Sequence, residues 1–451
     1  NPEIAVKYPG AKFVTTVYEE GLYIGYRYFD TFGVKPAFWF GDGFGYTTFT
    51  QEGVLEGRTV QVTVQNTGKV PGKEVVQIYV SLPEKKLEQP ALRLAAFAKT
   101  RELRPGEKQT VTLHLSDSAL QSYDTEDNAF VMEEGLVRIF LGETQIGQIK
   151  NEERTVFRKL SARLSPPVEV KEISKEDRNG TWPKGGKSRG VLDDVLPFSS
   201  DRSADGTQTE KEFPSPGRKI TFPELAEDPD LLEAFVGQMS DDELARLSVG
   251  GATGWGAQDA GYAGQLYTGG SLEKYEIPSF YFADGNNGVN LTEPGVGFPV
   301  SANMCATWNE ELMEREGRAI GTEARDRGVR CILAPAMNLH RNILGGRNAE
   351  YFSEDPYLAG RMAGRQCQGL EKAGVAACIK HFFANNAETM RNLNHSIMTE
   401  RTARELYLGA FSYALETWMP ATVMTSYNAA NGMYPAAYPV LLREIFRTEM
   451  G

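Results

Sequence analysis

VRCILAPAMNLHR at residues 329–341, VAACIKHFF at 375–383 and TVMTSYN at 422–428 decide how this chain folds. Each opens on a short apolar run and ends in polar or charged groups: Asn338, His340 and Arg341, with Arg347 close behind, then Lys380 and His381, then Tyr427 and Asn428. A fourth run, SFYFA at 279–283, ends at Asp284. Helical patterns separate the four. One has Thr307 as N-cap with Glu310 three residues on, a capping box, and stops at Gly328. The next has Asp355 as N-cap and Pro356 at the first helical position, and stops at Gly374. A third begins after Thr399, with Leu408, Phe411 and Leu415 on one face. The expected strands end at Asp284, near Ala334, at Ile379 and at Met424. Repeated strand-helix units imply a parallel sheet, because each return crossover needs a helix. A doubly wound sheet and a (β/α)8 TIM-type barrel both fit. The barrel is favoured, because every strand carries a polar cluster at its C-terminal end, whereas a doubly wound sheet concentrates such groups at its switch point.

The 451 residues leave room for two to four domains of about 100–200 residues each. A formal charge of -12 argues against nucleic acid and anionic membrane surfaces, which demand a basic face. Cys305, Cys331, Cys367 and Cys378 are scattered, without metal-ligand spacing, and read as buried thiols of a cytoplasmic protein. There is no apolar run of membrane-spanning length and no visible signal peptide. The chain opens on Asn1 without a methionine, so its true start is expected to lie upstream.

Upstream of the repeated units, YEEGLYIGYRYFDTFGVKPAFWFGDGFGYTTF at 18–49 is rich in aromatics and glycines but too short for a domain. Its rings could line a sugar site; core or interdomain packing is the preferred reading. From Gln51 the pattern alternates at period two. Val60, Val62 and Val64 share a face, and runs at 75–80, 111–115 and 136–141 follow, as in an immunoglobulin or fibronectin type III sandwich. His114 is expected to be structural. Residues 165–218 read as a linker or wrapping connection, with Trp182, Val191, Leu192, Val195, Leu196 and Phe198 as docking points. Beyond Phe222, Leu231, Leu232, Phe235 and Val236 form a helical stripe.

DGNNGVN at 284–290, NLHRNILGGRNAEYFSEDPYLAGRMA at 338–363, KHFFANNAETMRN at 380–392, ERTARELYL at 400–408 and VMTSYNAANG at 423–432 resemble the β-glucosidase branch of glycoside hydrolase family three. YEEGLYIGYRYFD resembles the end of that family's α/β sandwich domain, and residues 51–150, including AFAKTRELRPGE, its fibronectin type III domain. Most members place the barrel first; here the order is reversed. The resemblance implies four parts: the end of an α/β sandwich at 1–50, a fibronectin type III-like domain at 51–150, a linker at 151–220, and the first part of a (β/α)8 barrel at 221–451. It implies a pocket for one sugar, with Asp284 accepting hydroxyl hydrogen bonds, Arg347, Lys380 and His381 donating, and Met424 and Tyr427 near the reacting carbon. Arg341 and Arg391 are further candidates. Glu350, Glu354 and Asp355 are read as loop and cap residues. The acetylglucosaminidase branch is disfavoured, because its KHFPGHG loop is KHFFANN here, and His395 is read as structural.

The family's nucleophile is the aspartate of an SDW motif, expected just after Gly451, and its acid/base glutamate is expected before residue 1. No catalytic residue is therefore assigned within 1–451, and the chain is expected to be trimmed at both ends. No metal and no cofactor are implied. The resulting expectation is a retaining β-glucosidase acting on a β-glucoside or cello-oligosaccharide, with a homo-oligomer as one option. The alternatives are a non-catalytic sugar-binding fragment and a β-xylosidase or other exo-β-glycosidase. Read without the family, the arginines with Lys380 and His381 suggest an anionic ligand.

Overall fold

A computed structural model describes residues 14–177, 213–248, 267–268, 272–278, 280–291, 293 and 295–451. The docking points expected between Trp182 and Phe198 lie outside the described residues, as does Ser279.

The four apolar runs form strands Tyr281–Asp284, Cys331–Leu333, Ala376–Phe382 and Thr422–Thr425, parallel and adjacent in chain order. Tyr267–Thr268 pairs antiparallel with the first. Ile332, Ala377 and Ile379 are fully buried, in one core with Met362, Leu370 and Phe411 from the connecting helices. The Glu310–Asp326 and Pro356–Lys372 helices approach closely through glycines. A Cβ on Gly369 would lie 2.1 Å from the Glu314 carbonyl oxygen, and one on Gly317 2.3 Å from that of Gln366. Only glycine allows the two backbones to come this near.

Asp355 caps its helix as expected, accepting from the Leu358 amide at 2.9 Å. Gly374 and Gly328 take positive φ of 86° and 78° just after their helices. Two expectations are corrected. The first concerns the cap at Thr307: the N-cap is Asn309, whose side chain accepts from Leu312 N at 3.1 Å. Thr307 instead closes the preceding Ser301–Cys305 helix, donating to the Met304 carbonyl at 2.6 Å, and Trp308 at φ 52° makes the corner between the two helices. The second concerns the third strand, which runs past Ile379 to Phe382 because Lys380 and Phe382 still pair with Met424 and Thr425.

The all-β region is a sandwich. One sheet joins Phe49–Glu56, Thr59–Asn66 and Lys108–His114, and the other runs Thr144–Asn151, Gly135–Leu141, Val75–Ser81, Arg93–Lys99. Val60, Val62, Val64, Val76, Ile78, Val137 and Ile139 fill the space between them. The Arg93–Lys99 strand shows no alternation in sequence because both its faces are covered: Ala95 and Ala96 belong to the sandwich core, Leu94 and Phe97 to the α/β core.

The N-terminal stretch joins the two. Val14–Val17 pairs in parallel with Asn394–Ile397. Tyr26 donates to Asp355 at 2.8 Å and accepts from the Leu94 amide at 2.9 Å, while its ring stacks on Phe40 at 4.6 Å. The described part of the connection is tied down rather than free. Thr155–Lys159 pairs with Ala129–Met132, Leu164 N donates to Glu400 at 2.8 Å, and Ile173 N donates to the Glu19 carbonyl at 2.8 Å.

Asp355 is fully buried and also faces Arg27 at 3.4 Å, itself buried. Replacing it with alanine strands a buried guanidinium and uncaps a helix. Asp355→Ala should therefore cost about 3–5 kcal/mol, read as a lower urea midpoint, while Asp355→Asn, which keeps the cap, should cost less.

Candidate active site

The C-terminal ends of the four parallel strands open on a cleft of about 1050 Å³, lined by Asp284, Arg347, Lys380, His381, Met424 and Tyr427, and also by Arg391, Asn286 and Glu350. Lys380 Nζ lies 3.4 Å from Asp284 Oδ1, a contact across two strand ends. Its side chain is almost fully buried, that of Asp284 about one-third exposed. Arg347 forks onto both carboxylate oxygens of Glu350, with Nη2 at 2.9 Å from Oε2, and Nη1 donates to His381 Nε2 at 3.0 Å. Arg391 pairs with Glu388 at 2.8 Å and stacks over the Tyr427 ring, 4.3 Å from its centroid.

Backbone contacts fix these groups. Asn338 exchanges two hydrogen bonds with the His381 backbone, at 2.9 and 3.0 Å. Asn286 accepts from the Ala336 amide at 3.0 Å and donates to Glu350. His381 is buried beside Arg347, Lys380 and Arg391, and desolvation together with those charges holds its pKa well below the ordinary histidine range. It is therefore neutral. Since Nε2 accepts from Arg347, the proton sits on Nδ1, which has no hydrogen-bond partner among the described residues. Burial lowers the Arg347 pKa, but Glu350 outweighs it and leaves the guanidinium charge firmly in place.

All six principal candidates and Arg391 thus meet in one cleft. Arg341 does not line it: the guanidinium is forked on Glu20, at 2.8 Å for Nη2, and lies over the Tyr18 ring at 3.9 Å. Glu354 and Asp355 face the N-terminal stretch, with Glu354 accepting from Tyr26 N at 2.7 Å. Glu350 and Asn286 were not singled out for the cleft. Glu350 sits three residues from Arg347, a spacing at which a short helical turn brings an acid and a base together, and that was its available signal.

The fold has a counterpart in known proteins. Residues 256–451 match the glycosyl hydrolase family 3 N-terminal domain, and residues 74–145 match the fibronectin type III-like domain, which here comes first. The chain belongs to glycosyl hydrolase family 3.

Within that family its relatives are β-glucosidases. It is 35% identical to beta-glucosidase A of Butyrivibrio fibrisolvens, over 96% of this chain and 58% of the relative. It is 33% identical to a beta-glucosidase of Ruminococcus albus, over 96% of this chain and 47% of the relative. The chain spans about half the length of the curated relatives it matches. The crystal structure of a beta-glucosidase from Paenibacillus barengoltzii superposes with a TM-score of 0.81 at 29% identity, covering 99% of this chain and 51% of that one.

His340 and His395 are also depressed by burial, His395 to about 4. Unfolded histidines gain protons near pH 6.5 while these folded ones do not, so stability is complete above about pH 6.5 and falls as pH drops toward the folded values. Denaturation at pH 8, 6 and 4.5 should show this loss. The His381 ¹⁵N signals should stay those of a neutral ring at pH 5.5.

Proposed function

We propose that the cleft holds the terminal glucosyl unit of a β-glucoside, and that the protein is a retaining β-glucosidase working by double displacement. The observation that carries this reading is the pairing of each cleft cation with an internal acid: Lys380 with Asp284, Arg347 with Glu350, Arg391 with Glu388. An anionic ligand would have to displace those partners. A neutral polyol needs only directed donors and acceptors, which paired side chains still supply. Asp284, one-third exposed, offers acceptor positions to two hydroxyls; Lys380 and Arg347 donate; Met424 and the Tyr427 ring give an apolar wall. The likeness to β-glucosidases over nearly the whole chain supports the same substrate class.

Retention requires a nucleophile and an acid/base, two carboxylates about 5–5.5 Å apart. Asp284 and Glu350 are assigned to neither role, since a cation neutralises each. They orient the sugar and its donors. The four parallel strands are read as consecutive strands of a (β/α)8 barrel, whose sites form at C-terminal strand ends, where this cleft lies. All four cysteines are buried and free, and no helix among the described residues is long and apolar enough to cross a membrane. The thiols support a reducing compartment, the cytoplasm.

Calorimetric titration separates neutral from anionic ligands. D-glucose should bind, glucose 6-phosphate no more tightly, and Asp284→Ala or Lys380→Ala should weaken glucose at least tenfold, about 1.4 kcal/mol. Tighter phosphate binding would favour the anionic reading. During hydrolysis of an aryl β-glucoside, ¹H NMR should show the β-anomer of glucose first; the α-anomer first would contradict retention.

A further inference from the structure

A second cavity, of about 620 Å³, lies where the Tyr26–Phe32 helix and the turn after it meet the sandwich. It shares no residue with the Asp284 cleft, and its volume is typical of ligand pockets, about 300–1000 Å³. Its walls include Asp30, Trp39, Phe40, Glu52, Gln77 and Glu143, and no lysine, arginine or histidine lines it. Phosphates and other anions have nothing to bind there.

The position of Trp39 is built. Asp42 N donates to the Trp39 carbonyl at 3.1 Å, and Trp39 N donates to the Asp42 carboxylate at 2.9 Å, closing a tight turn. Gly41 within it has φ 84° and passes so close to Gln77 that a Cβ would lie 2.0 Å from Gln77 Oε1. Gln77 Nε2 donates to the Gly41 carbonyl at 3.0 Å, and Tyr79 donates to Gln77 Oε1 at 2.8 Å. The sandwich thus clamps the turn that presents the indole.

The neighbouring rings are spent on packing. Phe40 lies between Tyr26, at 4.6 Å, and Trp308, at 5.4 Å, and the Tyr26 hydroxyl is taken by Asp355. Among the described residues Trp39 makes no ring contact and its indole N–H no hydrogen bond. Asp30 has no donor or cation partner among them either. Burial and the nearby Glu143 charge push its carboxyl up to about 6. A free aromatic ring and unpaired oxygen acceptors lining one cavity are the groups a pyranose uses, with its C–H face on the ring and its hydroxyls on the acids. An aromatic cage for a quaternary ammonium needs several ring faces, and Trp39 supplies one. No group of three ligating side chains among the described residues could hold a metal ion.

We propose that this cavity is a second carbohydrate site, in which the Trp39 indole stacks on a neutral pyranose unit and Asp30 and Glu143 accept its hydroxyl hydrogen bonds. It is independent of what the Asp284 cleft binds. The test uses the chain labelled with 5-fluorotryptophan, in an Asp284→Ala, Lys380→Ala background that weakens the cleft, with the Trp39 ¹⁹F resonance assigned from Trp39→Phe. Titration with cellobiose should shift that resonance saturably. Calorimetry should show cellobiose binding at least tenfold weaker in Trp39→Ala, weaker in Asp30→Ala, and largely retained in Trp39→Phe, which keeps a ring. An unmoved Trp39 resonance, or equal affinity in Trp39→Ala, would overturn the proposal. So would a resonance that answers to choline but not to cellobiose.

Discussion

Lys380 is almost fully buried at the end of a strand, and a buried ammonium is tolerable only beside a carboxylate. Asp284, from the strand at the far side of its neighbour, supplies that carboxylate at 3.4 Å. This contact depends on the parallel order of the sheet, since only strands pointing the same way bring their C-terminal ends together. Arg347 and Glu350 repeat the arrangement on the loop after the second strand, and Asn286 ties Glu350 back to the loop after the first. The cleft is thus a ring of internally satisfied charges whose spare hydrogen-bonding capacity faces inward.

The rest of the molecule braces that ring from behind. Asp355 caps the helix that follows the Arg347 loop and takes the Tyr26 hydroxyl, which itself accepts from the Leu94 amide, so the N-terminal stretch, the sandwich strand at Leu94 and the α/β core meet at the Tyr26–Asp355 pair. Arg341, on the same loop as Arg347, serves the same bracing by its pair with Glu20. Its side chain faces Glu20 and the Tyr18 ring and not the cleft.

Much of this was legible in the sequence, and the failures have physical causes. The strands with one buried face showed their alternation, and Asp355 and Gly374 announced a helix start and stop because cap chemistry is local. Thr307 misled because its hydroxyl can close one helix as well as open the next, and only the corner at Trp308 decides between them. Arg93–Lys99 was invisible as a strand because two cores cover its two faces. Six sugar-site candidates could be named from motifs, but Glu350 and Glu354 look alike in sequence. Which of them enters the cleft depends on where the Arg347 side chain and the Tyr26 backbone amide lie, and that is set by contacts between distant parts of the chain.

On the function proposed above, paired charges make this cleft a site for a neutral sugar. A crystal structure of the chain soaked with equimolar glucose and glucose 6-phosphate tests it most directly. Density is expected for one pyranose ring, its hydroxyls within hydrogen-bond reach of Asp284, Lys380 and Arg347, with those two cations still facing Asp284 and Glu350. A phosphate group seated between Arg347 and Lys380, with either carboxylate displaced, would contradict it.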